Sequence, residues 1–462
     1  MARPSDAQPP AANALLPTPE PACAHTTGEG NGNGESAPPP APPAPYDSVF
    51  RNSGFTAFLV ARVVAVVATQ VQAVVVAWQV YDLTREPLAL AFVGLAQFLP
   101  MLCLLLPAGD LIDRFDRRRI LTMSWSVGAV CSALLWWLSG HGAAGVNGIY
   151  AVLVLYGSAR AFSGPSLQSL LPQIVPRSQL AQAIAANSML VRGASVGGPL
   201  LGGLLYALGG GQLTYAVCCG CFVLGMLLLQ RVTVAYAAPR GPVQGSMAQR
   251  FGAGIAFIRT RPIILGTISL DLFAVLLGGV VALLPIYAQE VLHIGPTGLG
   301  ALRSAIAVGE VGMGLYLSVH PISRHVGRTM FMAVAVFGAA NLVFSLSHWF
   351  WLSFVALAVA GGADMVSVYI RSALVQFSTP DAMRGRVNAV NMLFIGSSNE
   401  LGEFRAGTSA AWLGAVPAAV LGGICTLGVV AGWMWAFPSL RKVDQFEEAA
   451  AEASGARPPA DA

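Results

Sequence analysis

Between Phe55 and Phe437 the chain is a succession of apolar stretches separated by short polar connections. Each runs for roughly 20 to 30 residues, enough to cross about 30 Å of hydrocarbon at 1.5 Å per residue. A backbone in lipid must satisfy its own N–H and C=O groups, which leaves helices or a closed barrel. Barrel strands alternate polar and apolar residues over about ten positions, whereas these stretches are continuous and rich in Ala, Leu, Val and Gly. The expected fold class is therefore all-α and integral to a membrane. Charge agrees, since 10% of the 462 residues are charged against about 25% in a soluble domain.

Twelve spans are expected, at 55–81, 88–111, 119–139, 147–170, 182–208, 212–232, 263–287, 297–320, 328–346, 350–378, 387–410 and 412–437. Connections on one side hold Arg114, Arg117, Arg118, Arg119, Arg177, Arg231, Arg240, Arg250, Arg259, Arg261, Arg324, Arg328, Arg384 and Arg386, and the other side holds little beyond Arg85. By the positive-inside rule the arginine-rich side and both termini are cytoplasmic, in a plasma membrane of the bacterial inner-membrane kind. Residues 1–47 are rich in Pro, Gly, Ser and Asn with few large apolar side chains, the composition of a disordered tail. They lack the basic and apolar regions of a cleavable signal peptide. A six-helix bundle at 48–232, a cytoplasmic linker at 233–262, a second bundle at 263–440 and a polar tail at 441–462 complete the organisation.

Other classes are weakened by what the chain lacks. The single lysine, Lys442, ends no phosphate-binding loop, and the six histidines form no pair at helical spacing with a glutamate, so neither ATP hydrolysis nor zinc proteolysis has its motif. Cys218, Cys219 and Cys221 cluster without a second group at ligand spacing, which reads as small apolar packing. The net charge of +4 reflects membrane topology and does not argue for nucleic acid. No enzyme activity, cofactor or metal is expected.

The chain repeats itself at a shift of 204 residues. Pro176 falls on Pro380, Ala185 on Ala389, Asn187 on Asn391, Gly198 on Gly402 and Gly203 on Gly407, while Arg160 overlies Asp364. Six spans per repeat, flanking a midplane site, is transporter architecture.

The stretch GDLIDRFDRRRI, residues 109–120, places seven charges in twelve positions between spans 2 and 3. Its Gly109, Asp113, Arg114, Asp116, Arg117 and Arg118 resemble the loop motif of the major facilitator superfamily. RAFSG at 160–164 resembles that superfamily's arginine motif, and Gly198, Pro199, Gly202 and Gly203 in GPLLGG resemble the glycine-proline motif of its antiporters. Residues 80–121 and 379–407 are similar to the enterobactin-exporter-like branch, which includes siderophore and multidrug exporters. The resemblance implies a fold of two pseudo-symmetric six-helix bundles and the efflux of a small molecule in exchange for protons, by a monomer. It makes the charged loop (Gly109, Asp113, Arg114, Arg117, Arg118) a conformational latch, beside the plainer role of a topology anchor.

Charges inside spans are the sharper signal, because each costs at least roughly 2.5–3.5 kcal/mol at the bilayer centre. Arg160, Asp271, Glu310, Asp364, Glu400 and Glu403 sit well inside. The resemblance places spans 1, 4, 7 and 10 around a central cavity, and hence Arg160, Asp271 and Asp364 with it. Asp271 and Asp364 lead as proton carriers, with structural ion pairing as the alternative. Glu400 and Glu403, one helical turn apart, could carry protons or pair with arginines such as Arg192. On span 1, Arg62, Thr69, Gln72 and Gln79 share a face and read as cavity lining, although glutamines also bridge helices. Arg371 of span 10 joins the cavity candidates. A permease-like or scaffold membrane subunit without proton coupling, or an importer of the same fold, are the competing readings.

Overall fold

The computed structural model describes residues 49–141, 145–234 and 247–446. The expected disordered tail at 1–47 and most of the polar tail at 441–462 lie outside these residues, as do 235–246 of the linker. The described chain is helical, with α1 (Ser53–Thr84), α2 (Pro87–Arg114), α3 (Arg117–His141), α4 (Val146–Ile174), α5 (Leu180–Gln230), α6 (Met247–Arg259), α7 (Pro262–Gly278), α8 (Gly295–Val319), α9 (Val326–Leu346), α10 (Phe350–Phe377), α11 (Asp381–Leu413) and α12 (Ala415–Ala436). Among the described residues nine helical segments are long and apolar enough to cross a membrane. One of them, α5, breaks at Gly209 and Gly210, whose backbone is non-helical, and so makes two passes. With the longer but more polar α4 and α11 the passes come to twelve.

Local sequence sets the ends. Asn52 caps α1, its side-chain oxygen accepting the backbone N–H of Gly54 at 3.0 Å and of Phe55 at 3.2 Å. Asp116 does the same for α3 through the N–H of Arg118 at 2.9 Å, so one acid of the charged loop serves as a helix cap. Gly210, at φ 63°, takes the left-handed conformation that turns the chain between the two passes of α5. The linker, expected as a plain connection, contains α6, which packs against the start of α11 with Ile255, Ile258 and Phe251 in one apolar cluster.

Span 7 departs from expectation. The helix stops at Gly278, and 279–291 continues as a 3-10 turn, a short helical turn and a π-turn at Tyr287–Val291. Carbonyls freed by this break find a donor: the Arg405 guanidinium of α11 bonds Leu276 O at 3.2 Å and Gly279 O at 3.1 Å. An interrupted helix is tolerated at membrane depth only when its backbone is satisfied this way.

The passes of α1–α5 pack on one another, those of α7–α12 do likewise, and the two sets meet along α5 with α8 and α2 with α11. The 204-residue repeat explains this pairing. Gly198 of α5 abuts Gln70 of α1, and its mate Gly402 of α11 abuts Val275 and Leu276 of α7. Gly203 lies against Pro296 at the start of α8, and its mate Gly407 lies against Pro87 and Ala91 at the start of α2. Asn187 and Asn391 are both buried with an unbonded side-chain oxygen. The repeated residues are therefore the ones that hold each bundle together and join it to the other.

Candidate functional site

Two cavities occupy the region between the bundles. The larger, about 580 Å³, is lined by Arg62, Thr69, Phe98, Trp125, Tyr156, Arg160 and Phe222, and reaches Gly109, Phe251 and Ala389. These last three belong to the arginine-bearing ends of α2, α6 and α11, so the cavity extends toward that face. The smaller, about 220 Å³, lies deeper and is polar; Gln72, Gln97, Arg303, Glu400 and Glu403 line it. Thr69, Tyr156 and Arg160 line both, with the Tyr156 hydroxyl donating to Thr69 Oγ1 at 3.1 Å. The partition is thus a hydrogen-bonded tyrosine beside an arginine.

In the smaller chamber the two bundles exchange charge. Arg160 of α4 approaches Glu400 of α11 at 3.6 Å and donates to Gln97 Oε1 of α2 at 3.3 Å. Arg303 of α8 and Glu403 complete the set, each within electrostatic reach of the other. Two guanidiniums thus face two carboxylates, the arrangement that lets ionised groups persist at membrane depth.

From the chamber outward, away from the arginine-rich face, the bundles close on one another. At the level of the chamber itself Ser304 Oγ, next to Arg303, donates to Val196 O at 2.6 Å; further out, the Tyr81 hydroxyl of α1 donates to Glu290 on the π-turn, and Gly203 leaves room for the Pro296 carbonyl where a side chain would collide. Gly198, Pro199, Gly202 and Gly203 therefore lie at close helix contacts rather than in either cavity.

A family model described as transmembrane secretion effector matches residues 44–459. The chain belongs to this major facilitator family. Relatives of this transporter include the enterobactin exporter EntS of Citrobacter koseri, 27% identical over 353 residues that cover 73% of this chain and 81% of that one. The enterobactin exporter EntS of Escherichia coli O1:K1 is 26% identical over 352 residues with the same coverage. The crystal structure of an inward-facing bacterial homologue of the human lysosomal transporter Spinster shares the fold at TM-score 0.65, with 16% identity over 90% of this chain and 100% of that chain. An inward-facing bacterial homologue of the iron transporter ferroportin does so at TM-score 0.65, with 18% identity over 86% of this chain and 100% of that chain.

The structure brings together some of the transporter's expected site residues and separates others. Arg62, Thr69, Gln72, Arg160, Glu400 and Glu403 line the cavities. Gln79 bridges helices, donating to Ser139 Oγ at 3.3 Å and accepting from the Tyr215 hydroxyl at 2.7 Å. Asp271 of α7 is 5% exposed and forms an ion pair with Arg371 of α10, with Ser367 donating to it at 3.3 Å; this pair lines neither cavity. Asp364 also lines neither, and lies within reach of Glu310, which approaches Arg192 at 3.9 Å. Arg192 thus faces Glu310, while Glu400 takes Arg160 as its partner. In the charged loop, Arg117 donates to Ser169 O at 3.3 Å, and Arg118 donates to Val232 O at 2.9 Å and to Gln230 O. Both tie the loop to the end of a helix in its own bundle, where carbonyls attract cations. Arg114 is exposed, and the Asp113 side chain lies outside the described residues.

Sequence reasoning passed over Arg303, Gln97 and Tyr156. Arg303 carried a usable signal: it is an arginine inside a span near the arginine-poor face, where topology has no use for one.

Proposed function

We propose that this transporter exports a small organic compound of the siderophore class in exchange for protons across the plasma membrane, working as a monomer with both termini cytoplasmic. The bundles at 48–232 and 263–440 rock about the charged chamber, so that the larger cavity alternates between the two faces. The observation that carries the reading is the Arg160–Glu400 contact, a charge pair formed across the bundle interface at the inner end of a substrate-sized cavity. The enterobactin exporters among the relatives support the substrate class.

With the cavity reaching the arginine-rich face, Glu400 is ionised and paired with Arg160. A proton taken up by Glu400 from the opposite face neutralises it, weakens the attraction across the interface and leaves Arg160 held by Gln97 alone. Release of that proton to the cytoplasm restores the pair. Glu403, one turn away and opposite Arg303, keeps the chamber's charge near balance and shares the proton. Asp271 with Arg371 braces α7 against α10 outside this cycle, and Asp364 with Glu310 is a reserve acidic pair.

The test uses protein reconstituted in proteoliposomes and a substrate found by comparing spent media of deletion and parent strains grown without iron. Substrate added on the cytoplasmic side should drive opposite proton movement, and Glu400→Gln with Glu403→Gln should abolish that movement while substrate still binds. Proton-coupled efflux undiminished in the double variant would sink the coupling assignment, and spent media that do not differ would sink siderophore export.

A further inference from the structure

Among the described residues, one cation of the larger cavity has no neutralising partner. Arg62 of α1 lines it, and its Nε is shielded from solvent without a hydrogen-bond partner. Among the described residues no carboxylate pairs with it, whereas Arg160, the other guanidinium of that cavity, is held by Glu400 and Gln97. Most of the cavity's hydroxyls are engaged, Ser397 being the exception. Thr69 donates to Ala65 O at 2.9 Å, and Ser124 to Ala159 O at 2.7 Å with Ser163 beside it at 2.5 Å. The rest of the cavity wall is mainly apolar or aromatic, with Phe98, Met101, Trp125, Tyr156 and Phe222 among its residues.

An unpaired guanidinium inside a membrane protein is unfavourable unless it faces water or meets an anion. Its planar fork suits a carboxylate, sulfonate or phosphate, which it grips with two parallel hydrogen bonds. A volume of about 580 Å³ falls in the range of organic-ligand pockets, roughly 300–1,000 Å³. A bare inorganic anion would leave the aromatic walls in contact with water only.

We infer that the occupant of this cavity is an amphiphilic organic anion, its acidic group gripped by Arg62 and its apolar or aromatic body lying against Trp125, Tyr156, Phe98 and Phe222. Cations are repelled by Arg62, and neutral compounds leave it unpaired. The inference rests on the larger cavity being the substrate's path and adds a charge requirement that the exporter reading does not contain.

Matched probes test it without any gradient. Naphthalene-2-sulfonate and the neutral naphthalene-2-sulfonamide have the same ring and nearly the same shape, and their binding to the full-length protein in lipid nanodiscs is measured by calorimetry against empty nanodiscs. The sulfonate should bind roughly ten- to a hundredfold more tightly, the worth of a charge-assisted pair. Arg62→Gln should erase that preference while sulfonamide binding stays, and Arg62→Lys should keep part of it. Equal binding of the two probes to the native protein, or a preference that survives Arg62→Gln, overturns the inference. Displacement of the sulfonate by inorganic sulfate at equal concentration also overturns it, since the site would then serve a bare anion. Because binding is read at equilibrium, failure of proton-coupled export leaves this result standing, and failure here leaves export intact.

Discussion

At the residue scale, charges of the same kind at the same depth have different settings. Asp271 and Arg371 form a closed pair within one bundle, Arg160 and Glu400 form an open one across the interface, and Arg62 has no partner among the described residues. Removing one member of a closed buried pair strands the other, at a cost of about 3–5 kcal/mol, whereas replacing both can be close to neutral. Asp271→Asn and Arg371→Met are each expected to lower the melting temperature of the purified protein by several degrees. The double variant should recover most of the loss, as read by thermal unfolding in detergent; a double variant as unstable as the sum of the singles would mean that the pair does not act as a unit. Sequence placed all of these residues at membrane depth. Partnership was not legible in it, because partners such as Asp271 and Arg371 lie a hundred positions apart on helices whose mutual rotation is set by packing.

At the element scale, the helices that matter most are α5 and α11, which pack on helices of their own bundle (α1 and α3 for α5, α7 and α12 for α11) and also on one of the other, α8 and α2 respectively. Small residues permit this, since backbones approach closely only where side chains are absent. A methyl group at Gly407 would meet Pro87 O and Ala91 N at 2.9 Å, so Gly407→Val should push α11 from α2, and Gly203→Val should push α5 from α8. Both variants are expected to cut export several-fold and to raise thiol labelling of a cysteine placed at Thr297, on the closed face. Gly193→Ala, with open space where the methyl would go, is the control and should match the native protein or gain up to about 1 kcal/mol of stability. Labelling at Thr297 that stays at the native level in Gly203→Val would argue against the contact as a seal. The glycine positions were legible through their repetition, but the break of α7 after Gly278 was not. It depends on Arg405, which arrives from α11 to satisfy the freed carbonyls.

At the scale of the whole molecule, the cavity reaches one face while α5 and α8 close the other. A disulfide across the contact between α5 and α8 should arrest the cycle. In a variant without native cysteines, Val196→Cys with Ser304→Cys is expected to lose export on oxidation and regain it on reduction, while naphthalene-2-sulfonate still binds from the open side; transport unaffected by complete cross-linking would remove the rocking motion from the mechanism. The number of passes, the arginine-rich face and the two-fold repetition were all determined by sequence, because hydrocarbon thickness, charge placement and internal similarity act along the chain. Which carboxylate meets which arginine, which polar residues of span 1 face a cavity and which bridge helices, and where Arg62 stands alone were decided only by tertiary structure. The reason is physical: helices of nearly uniform apolarity carry little rotational information, since lipid and protein interior accept the same side chains. Their orientation follows from close contacts between helices distant in sequence.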